Sequence, residues 1–157
     1  DGIRDLYVTG VQTCALPIYV SFVQQVIRSS QVSSAGALSL FFNATMADRR
    51  TATTDYQIAG GLTYTGPLQS RPEDDIGFAV GTTHVNGRIA WSEELQNLAG
   101  LGPVAVQGNE YVMELYYTYR PLAGLQVRPN IQYVVDPGGT SRNPNALVFG
   151  LKTVANF

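Results

Sequence analysis

The chain is poor in the features that mark most soluble or helical proteins. Its 157 residues include one cysteine, Cys14, and one histidine, His84. Charged residues make up only 14% of the chain, whereas ordinary soluble domains hold about 25%. No run approaches the roughly 18 apolar residues of a membrane helix, and the net charge of −2 offers nucleic acid no overall electrostatic attraction. The composition argues against a transmembrane helix and against a nucleic-acid partner.

Sequence signatures of an enzyme or a metal centre are also missing. No G-x-S-x-G elbow or other nucleophile motif occurs. His84 has no His, Cys or carboxylate partner at ligand spacing. The acidic run Glu73-Asp74-Asp75 lacks the spacing and the glycine of a calcium loop, so it is interpreted as a solvated turn. We predict no enzymatic activity, no metal site and no cofactor.

What the chain does have is an alternation of apolar and polar residues with a period of two. Segments with this pattern have about the 9–11 residues that cross a bilayer at a tilt. They are YVSFVQQVIR, ALSLFFNATMA, TDYQIAGGLTYT, DIGFAVGTTH, EYVMELYYTYR, GLQVRPNIQYVV and ALVFGLKTVANF. In SEELQNLAG, Ser92 is expected to cap a short helix and Gly100 to end it. The predicted fold is all-β, an antiparallel up-and-down meander of about seven strands.

Alternation alone does not decide which face of these strands meets water. A soluble sandwich buries its apolar face, whereas a transmembrane barrel turns that face to lipid and lines its lumen with the polar face. The segment GLQVRPNIQYVV alternates most clearly, but its Pro129 removes a ladder hydrogen bond. Pro129 is therefore expected at a bulge or near a rim.

Three observations favour the barrel. Aromatic residues recur eight positions apart on the apolar parity: Tyr56 and Tyr64, Tyr111 and Tyr119, Phe149 and Phe157. Eight residues of a tilted strand rise roughly 20 Å, close to the ~25 Å band between two aromatic girdles. The low charge suits a wall that meets little bulk water. The last connections alternate in length between DPGGTSRNPN, PLA and a long stretch over 85–109, as in barrels with short turns at one rim.

Two stretches resemble a known family. YTGPLQSRPEDDIGFAVG, and YRPLAGLQVRPNIQYVVDPGG followed by NPNALVFGLK, are similar to the carbohydrate-selective porins of the OprB type, and the likeness covers residues 19–157. It implies an outer-membrane barrel of about sixteen strands in Gram-negative bacteria that passes sugars inward. This chain would be its C-terminal half, an incomplete barrel, since so few strands cannot close a ring of porin width.

The same resemblance implies the partners of the complete protein. They would be mono- or oligosaccharides, outer-membrane lipid and the outer-membrane assembly machinery, which would read the last strand ending in Phe157. A homo-oligomer is left open. In the topology of the family, Phe157 lies at the periplasmic end, and the 85–109 connection faces outside.

The beginning of the chain reads differently from the rest. DGIRDLYVTGVQTCALPI has no period of two and no helical spacing. VTGVQTCALPI and DGIRD resemble the in-frame translation of a sequencing adapter. Residues 1–18 are therefore expected to be a non-native, disordered leader, in which Cys14 has no role. A disordered natural terminus is the alternative.

Candidate site residues lie on the polar parity of the last three predicted strands. Sugars are neutral and rich in hydroxyl groups, so a selective lumen needs side-chain donors and acceptors. The candidates are Glu110, Glu114, Arg128, Asn130, Gln132 and Lys152. Each could equally be an ordinary wetted residue with no part in selectivity. Trp91, in the long connection, is expected to pin that loop to the rim or to stack on sugar at the entrance.

The leading hypothesis is passive diffusion of carbohydrates through a polar lumen. Alternatives are a non-selective general porin, a soluble β-sandwich or lectin-like binding module, and a barrel enzyme or adhesin that shares the architecture.

Overall fold

The computed structural model describes residues 17–28 and 36–156. These residues form seven β-strands and one α-helix. The elements are β1 (Ile18–Arg28), β2 (Ala37–Met46), β3 (Thr54–Thr65), β4 (Asp75–Val85), α1 (Gly87–Leu98), β5 (Asn109–Leu122), β6 (Leu125–Val135) and β7 (Ala146–Ala155). All seven predicted strands are present, and their bounds differ from the predicted ones by at most two residues.

The strands form one antiparallel sheet in the order β1-β2-β3-β4-β5-β6-β7. Each strand pairs with its neighbour in sequence, so the up-and-down meander is confirmed. Within the described ranges β1 and β7 are the two edges of the sheet. A strand of this length at such an edge leaves a row of backbone N–H and C=O groups available to further strands.

The register separates the two faces from strand to strand. On the outward face, one cross-strand row continues on β1 at Gln24 and is apolar from β2 to β7: Leu40, Leu62, Phe78, Leu115, Ile131 and Phe149. The next row, on the inward face, consists of Phe41, Gly61, Ala79, Glu114, Gln132 and Val148. Since side chains alternate across a strand, a slip of one residue would exchange these two sets.

Burial is inverted relative to a soluble domain. No hydrophobic side chain of the described residues is buried, and large apolar residues such as Phe149 and Leu151 are more than 70% exposed. The buried residues are polar: Asp55, Asp74, Asp75, Asn86 and Thr118. A soluble sandwich would bury its apolar face against a second sheet, and the described residues form only one. The outward face is therefore suited to hydrocarbon.

The helix α1 begins earlier than the sequence predicted. Asn86 is its N-cap and accepts a hydrogen bond from the Arg88 N–H at 3.0 Å, so the prediction that Ser92 caps it is wrong, and Ser92 lies inside the helix. Gly100 follows the C-cap Ala99 with φ of +71°, which matches the predicted end. In the part of the chain that the structure describes, no helix is long and apolar enough to span a bilayer.

The connections sort onto two rims. The loop rim, as we call it, carries the connections 47–53, 86–108 and 136–145. The turn rim carries 66–74, the two-residue turn 123–124 and the end of β7, together with a connection that lies mostly outside the described residues. Short and long connections are distinct for the last three, as predicted.

Pro129 lies four residues from the start of β6. It pairs with Leu151 of β7, whereas pairing with β5 is present at Asn130 and Val127 but not at Pro129. The missing N–H thus falls in an interruption of the β5–β6 ladder, which is how a strand accommodates proline.

Candidate functional site: a polar wall on four strands

The inward face of β4–β7 forms a continuous polar wall. Every Asp, Glu, Lys and Arg of these four strands lies on it: Asp75, Glu110, Glu114, Arg120, Arg128 and Lys152. Three are acidic and three are basic, so the wall is close to neutral at pH 7. All six sequence-predicted candidates share this face, because Asn130 and Gln132 are on the same parity of β6.

Glu114 is the centre of one hydrogen-bonded group on the wall. Asn130 donates from Nδ2 to Glu114 Oε1 at 3.0 Å, and Gln132 donates from Nε2 to Glu114 Oε2 at 3.3 Å. Each carboxylate oxygen thus has an amide donor from the neighbouring strand. Two amide donors from β6 therefore hold the Glu114 side chain in place on the wall.

Arg128 is the centre of a second group, nearer the turn rim. Its Nε donates to Thr118 Oγ1 at 2.7 Å, and its guanidinium carbon lies 4.3 Å from the centre of the Tyr116 ring. Asp75 forms an ion pair with Arg120 at 2.6 Å and lies 4.0 Å from Arg128. The two arginines therefore share a buried carboxylate, so Asp75 partly compensates their positive charge.

The remaining two candidates lie apart from these groups. Glu110 Oε2 accepts a hydrogen bond from the Gly138 N–H at 2.7 Å, which ties the wall to the 136–145 connection. Lys152 is exposed, and its backbone lies opposite that of Arg128 in the register of β6 and β7. It forms no hydrogen bond or ion pair with another described residue.

Large inward side chains lie flat across glycines of the adjacent strand. A Cβ added at Gly77 would fall within the Tyr116 ring, and one added at Gly150 would meet the Asn130 amide. On β2, Phe41 covers Gly61 in the same way. These glycines leave room for the large inward side chains to lie along the sheet rather than stand away from it.

Sequence reasoning missed Tyr116 and Asp75 as parts of this wall. Both have the inward parity, as Thr118 does, so the period of two could have placed them on it. It could not have shown that Tyr116 crosses Gly77 to reach Thr63, whose Oγ1 lies 2.9 Å from the Tyr116 hydroxyl. That contact depends on the register of three strands.

The acidic run at the turn rim corrects one prediction. Asp74 and Asp75 are buried, at 1% and 5% exposed, so the interpretation of the run as a solvated turn is wrong. Asp74 accepts hydrogen bonds from the Tyr117 hydroxyl at 2.5 Å and the Arg120 N–H at 2.8 Å. Burial favours the neutral acid, but these hydrogen bonds and Arg71 outweigh it and hold the pKa of Asp74 below its usual value.

A third buried carboxylate, Asp55, organises the loop rim. Asp55 accepts from the Gly87 N–H at the start of α1 at 3.1 Å and pairs with Arg49 at 3.2 Å. Asn86 donates to the carbonyl oxygens of Arg49 and Ala52 at 2.7 and 2.8 Å. These contacts join the 47–53 and 86–108 connections, so α1 is fixed to the rim.

His84 and Trp91 differ in their surroundings. His84 stacks on Tyr56 with ring centres 5.0 Å apart, and its Nδ1 lies 3.6 Å from Asp55 Oδ2. No group of three potential metal ligands occurs among the described residues. Trp91 is 63% exposed on α1. The role of Trp91, whether it pins the loop to the rim or stacks on sugar, stays a prediction.

The predicted girdle residues face outward. Tyr64, Tyr111 and Phe149 are exposed, and Tyr56 and Tyr119 are half-buried; Phe157 lies outside the described residues. The midpoints of the three aromatic pairs are Gly60, Leu115 and Thr153. These midpoints do not share a register row, since Leu115 aligns through Ile131 with Phe149. A membrane band crosses register rows obliquely when strands are tilted, as a barrel requires.

Comparisons with known proteins agree with this geometry. The profile of the family described as "Carbohydrate-selective porin, OprB family" matches residues 17–157. A Pseudomonas aeruginosa protein named Porin B is 38% identical over 141 residues, which cover 85% of this chain and 31% of that protein. A solved structure titled "High pH structure of Pseudomonas putida OprB" matches with a TM-score of 0.78 and 39% identity, over 88% of this chain and 34% of that one.

The chain spans about a third of the length of these relatives. Within that third, the family profile, the antiparallel meander and the lipid-suited outward face all agree. The chain therefore belongs to the OprB family of carbohydrate-selective porins, β-barrel proteins of the Gram-negative outer membrane.

Proposed function

We propose that this chain is the C-terminal part of a porin through which carbohydrates diffuse passively across the outer membrane. The observation that carries the proposal is the neutral, hydrogen-bonded wall on the inward face of β4–β7. Its donors and acceptors are paired with one another and remain partly exposed, which suits solutes with many hydroxyl groups and no net charge. Mono- and oligosaccharides have this chemistry.

The six candidates divide into two roles under this proposal. Glu114, Asn130, Gln132 and Arg128 would exchange hydrogen bonds with passing hydroxyl groups. Glu110 would hold the 136–145 connection at the mouth, and Lys152 would act as a mobile cation beside Arg128. No catalytic role is proposed for any of them, and no cofactor is needed for passive diffusion.

The outward face is proposed to contact lipid, with Tyr56, Tyr64, Tyr111, Tyr119, Phe149 and Phe157 as its aromatic girdle. The strand β7, which continues towards Phe157, would be the segment that the outer-membrane assembly machinery reads. A homo-oligomer stays open. Residues 1–18 are proposed to be the non-native leader; residues 1–16 of it lie outside the described residues, and β1 already includes Ile18.

The experiment needs a closed barrel, because an open sheet of seven strands encloses no lumen. We would replace the segment of Porin B that this chain matches with residues 17–157 and reconstitute the product in liposomes. This protein is called the chimaeric barrel below. Swelling rates would be measured with glucose, a disaccharide and free glutamine, a zwitterion of similar size.

We expect glucose to enter faster than glutamine. Equal rates would contradict sugar selectivity and leave a non-selective general porin. No swelling with any solute, in vesicles that contain folded protein, would contradict a pore altogether.

A further inference from the structure

Arg128 is held by more contacts than its neighbour Lys152, and unlike Arg120, whose guanidinium is held by the ion pair with Asp75, it stacks on an aromatic ring. Its Nε is bound to Thr118 Oγ1 at 2.7 Å, and Thr118 is fully buried. Its guanidinium lies over the ring of Tyr116 at 4.3 Å. By contrast, its cross-strand neighbour Lys152 is exposed and has no partner among the described residues. Two adjacent cations thus differ in the contacts that the described residues give them.

The position of the Tyr116 ring is itself set by the backbone. The ring lies across Gly77, where any side chain would occupy the same space. Its hydroxyl reaches past β4 to Thr63 Oγ1 on β3, at 2.9 Å. The ring is therefore fixed at both ends, and the orientation of its face does not depend on Arg128.

A guanidinium that stacks on a fixed ring keeps its N–H groups in one plane. With Nε engaged by Thr118 and Nη2 lying 4.0 Å from Asp75 Oδ1, Nη1 of Arg128 stays available for acceptors in the lumen. Donors that are already ordered lose less side-chain entropy on contact with a solute than a free lysine does. Arg128 can therefore favour hydroxyl-rich solutes at a smaller entropic cost.

We propose that Tyr116 is a positioning residue, which holds Arg128 as a fixed donor on the path of the sugar. This inference rests on the proposed carbohydrate function and adds the residue pair that supports its selectivity. The alternation in the sequence places Arg128 and Lys152 on the same face and does not distinguish them. The stacking on Tyr116 distinguishes Arg128.

The test compares four single variants and one double variant of the chimaeric barrel in liposomes. The readout is the ratio of the entry rate of glucose to that of glutamine. The ratio is independent of how many channels fold, so a loss of stability alone does not change it. The single variants are Arg128→Gln, Tyr116→Leu, Tyr116→Phe and Phe41→Leu. The last is the matched control, an inward aromatic that lies across Gly61 without a stacked arginine.

We expect Arg128→Gln and Tyr116→Leu to lower the ratio by a similar factor, about two- to fivefold, as the loss of one cation–π contact suggests. Tyr116→Phe keeps the ring face and should retain most of the ratio, and Phe41→Leu should leave it unchanged. The double variant Arg128→Gln/Tyr116→Leu should fall no further than Arg128→Gln alone.

The positioning role is overturned if Tyr116→Leu keeps the ratio while Arg128→Gln lowers it, or if Arg128→Gln has no effect. Should Tyr116→Leu fail to fold, Gly77→Ala displaces the ring from β4 and must lower the ratio in its place. A failure of the proposed function shows up elsewhere, as an unsubstituted barrel that does not prefer glucose.

Discussion

The inward faces of β2 and of β4–β7 differ sharply, although their outward faces are both largely apolar. The inward residues of β2 are Ala37, Ser39, Phe41, Asn43 and Thr45, none of them charged. On β4–β7 the same face holds three carboxylates and three basic side chains. The outward faces of both regions are mostly apolar, with Phe42 and Phe78 as examples, each about 40% exposed, and polar residues such as His84 lie on this face near the loop rim.

This difference shows that the outward face and the inward face of the sheet are limited in different ways in the residue types they can hold. Hydrocarbon excludes charge on every strand that meets it, so the outward pattern repeats. Water in a lumen tolerates both charged and uncharged residues, so the inward face can specialise locally. Any selectivity that the inward face of this chain supplies should therefore come from the polar wall on β4–β7.

The largest expected effect comes from arginines on the outward face. In the chimaeric barrel, Leu115→Arg on β5 and Leu40→Arg on β2 should each lower the free energy of unfolding by about 2–4 kcal/mol. Inward controls in the same two regions, Ala79→Arg and Ser39→Arg, should cost much less, because the new charge meets water. Urea unfolding in lipid vesicles measures all four. A large difference between the two outward variants would show that lipid contact is not uniform.

The next effect concerns Asp74, which anchors the turn rim beside the charged region. Asp74→Ala removes a buried acceptor and leaves the Tyr117 hydroxyl and the Arg120 N–H without it. A loss of about 1–3 kcal/mol in unfolding free energy is expected. The matched control Glu73→Ala removes an exposed carboxylate and should change little. Equal costs for the two would contradict the buried network.

Acid should weaken the same contact. The pKa of Asp74 is held below its usual value in the folded protein. Its contribution to stability is therefore complete above the unfolded pKa of about 3.9 and is lost as the pH falls through the lower folded pKa. The unfolding midpoint should drop more between pH 5 and pH 3 (roughly the window around that pKa) in the unsubstituted barrel than in Asp74→Asn. Parallel curves would contradict this assignment.

The smallest effect is expected on β3, which lies between the uncharged inward face of β2 and the charged inward face of β4–β7. Thr63→Val removes the partner of the Tyr116 hydroxyl, at a cost of about 0.5–1.5 kcal/mol. Tyr116→Phe should cost about the same, and the double variant no more than either single one. A double-mutant cycle by urea unfolding provides the coupling. Strict additivity would mean that the two hydroxyls do not interact.

Particular residues show how far the sequence could be read. The period of two predicted Thr54–Thr65 to the residue, because a strand with one apolar face and one polar face must alternate. The helix-end signals in the sequence failed at the start of α1, where Asn86 rather than Ser92 is the N-cap. An N-cap depends on which side chain reaches the helix amides. The interpretation of Asp74 and Asp75 as part of a solvated turn also failed, because these residues are enclosed by Tyr117, Arg71 and Arg120. Tyr117 and Arg120 are distant in sequence, and the contact with Arg71 depends on how the 66–74 connection folds.

The sequence by itself determined the seven strands, their order as a meander, the two faces and the residues available to each. Alternation is a local property, and it follows from the opposite directions of successive side chains. Only the tertiary structure decided that Tyr116 crosses Gly77 and carries Arg128, and that Asp74 is enclosed. Those contacts arise from the register between strands and from the packing of turns, which couple residues that no local pattern links.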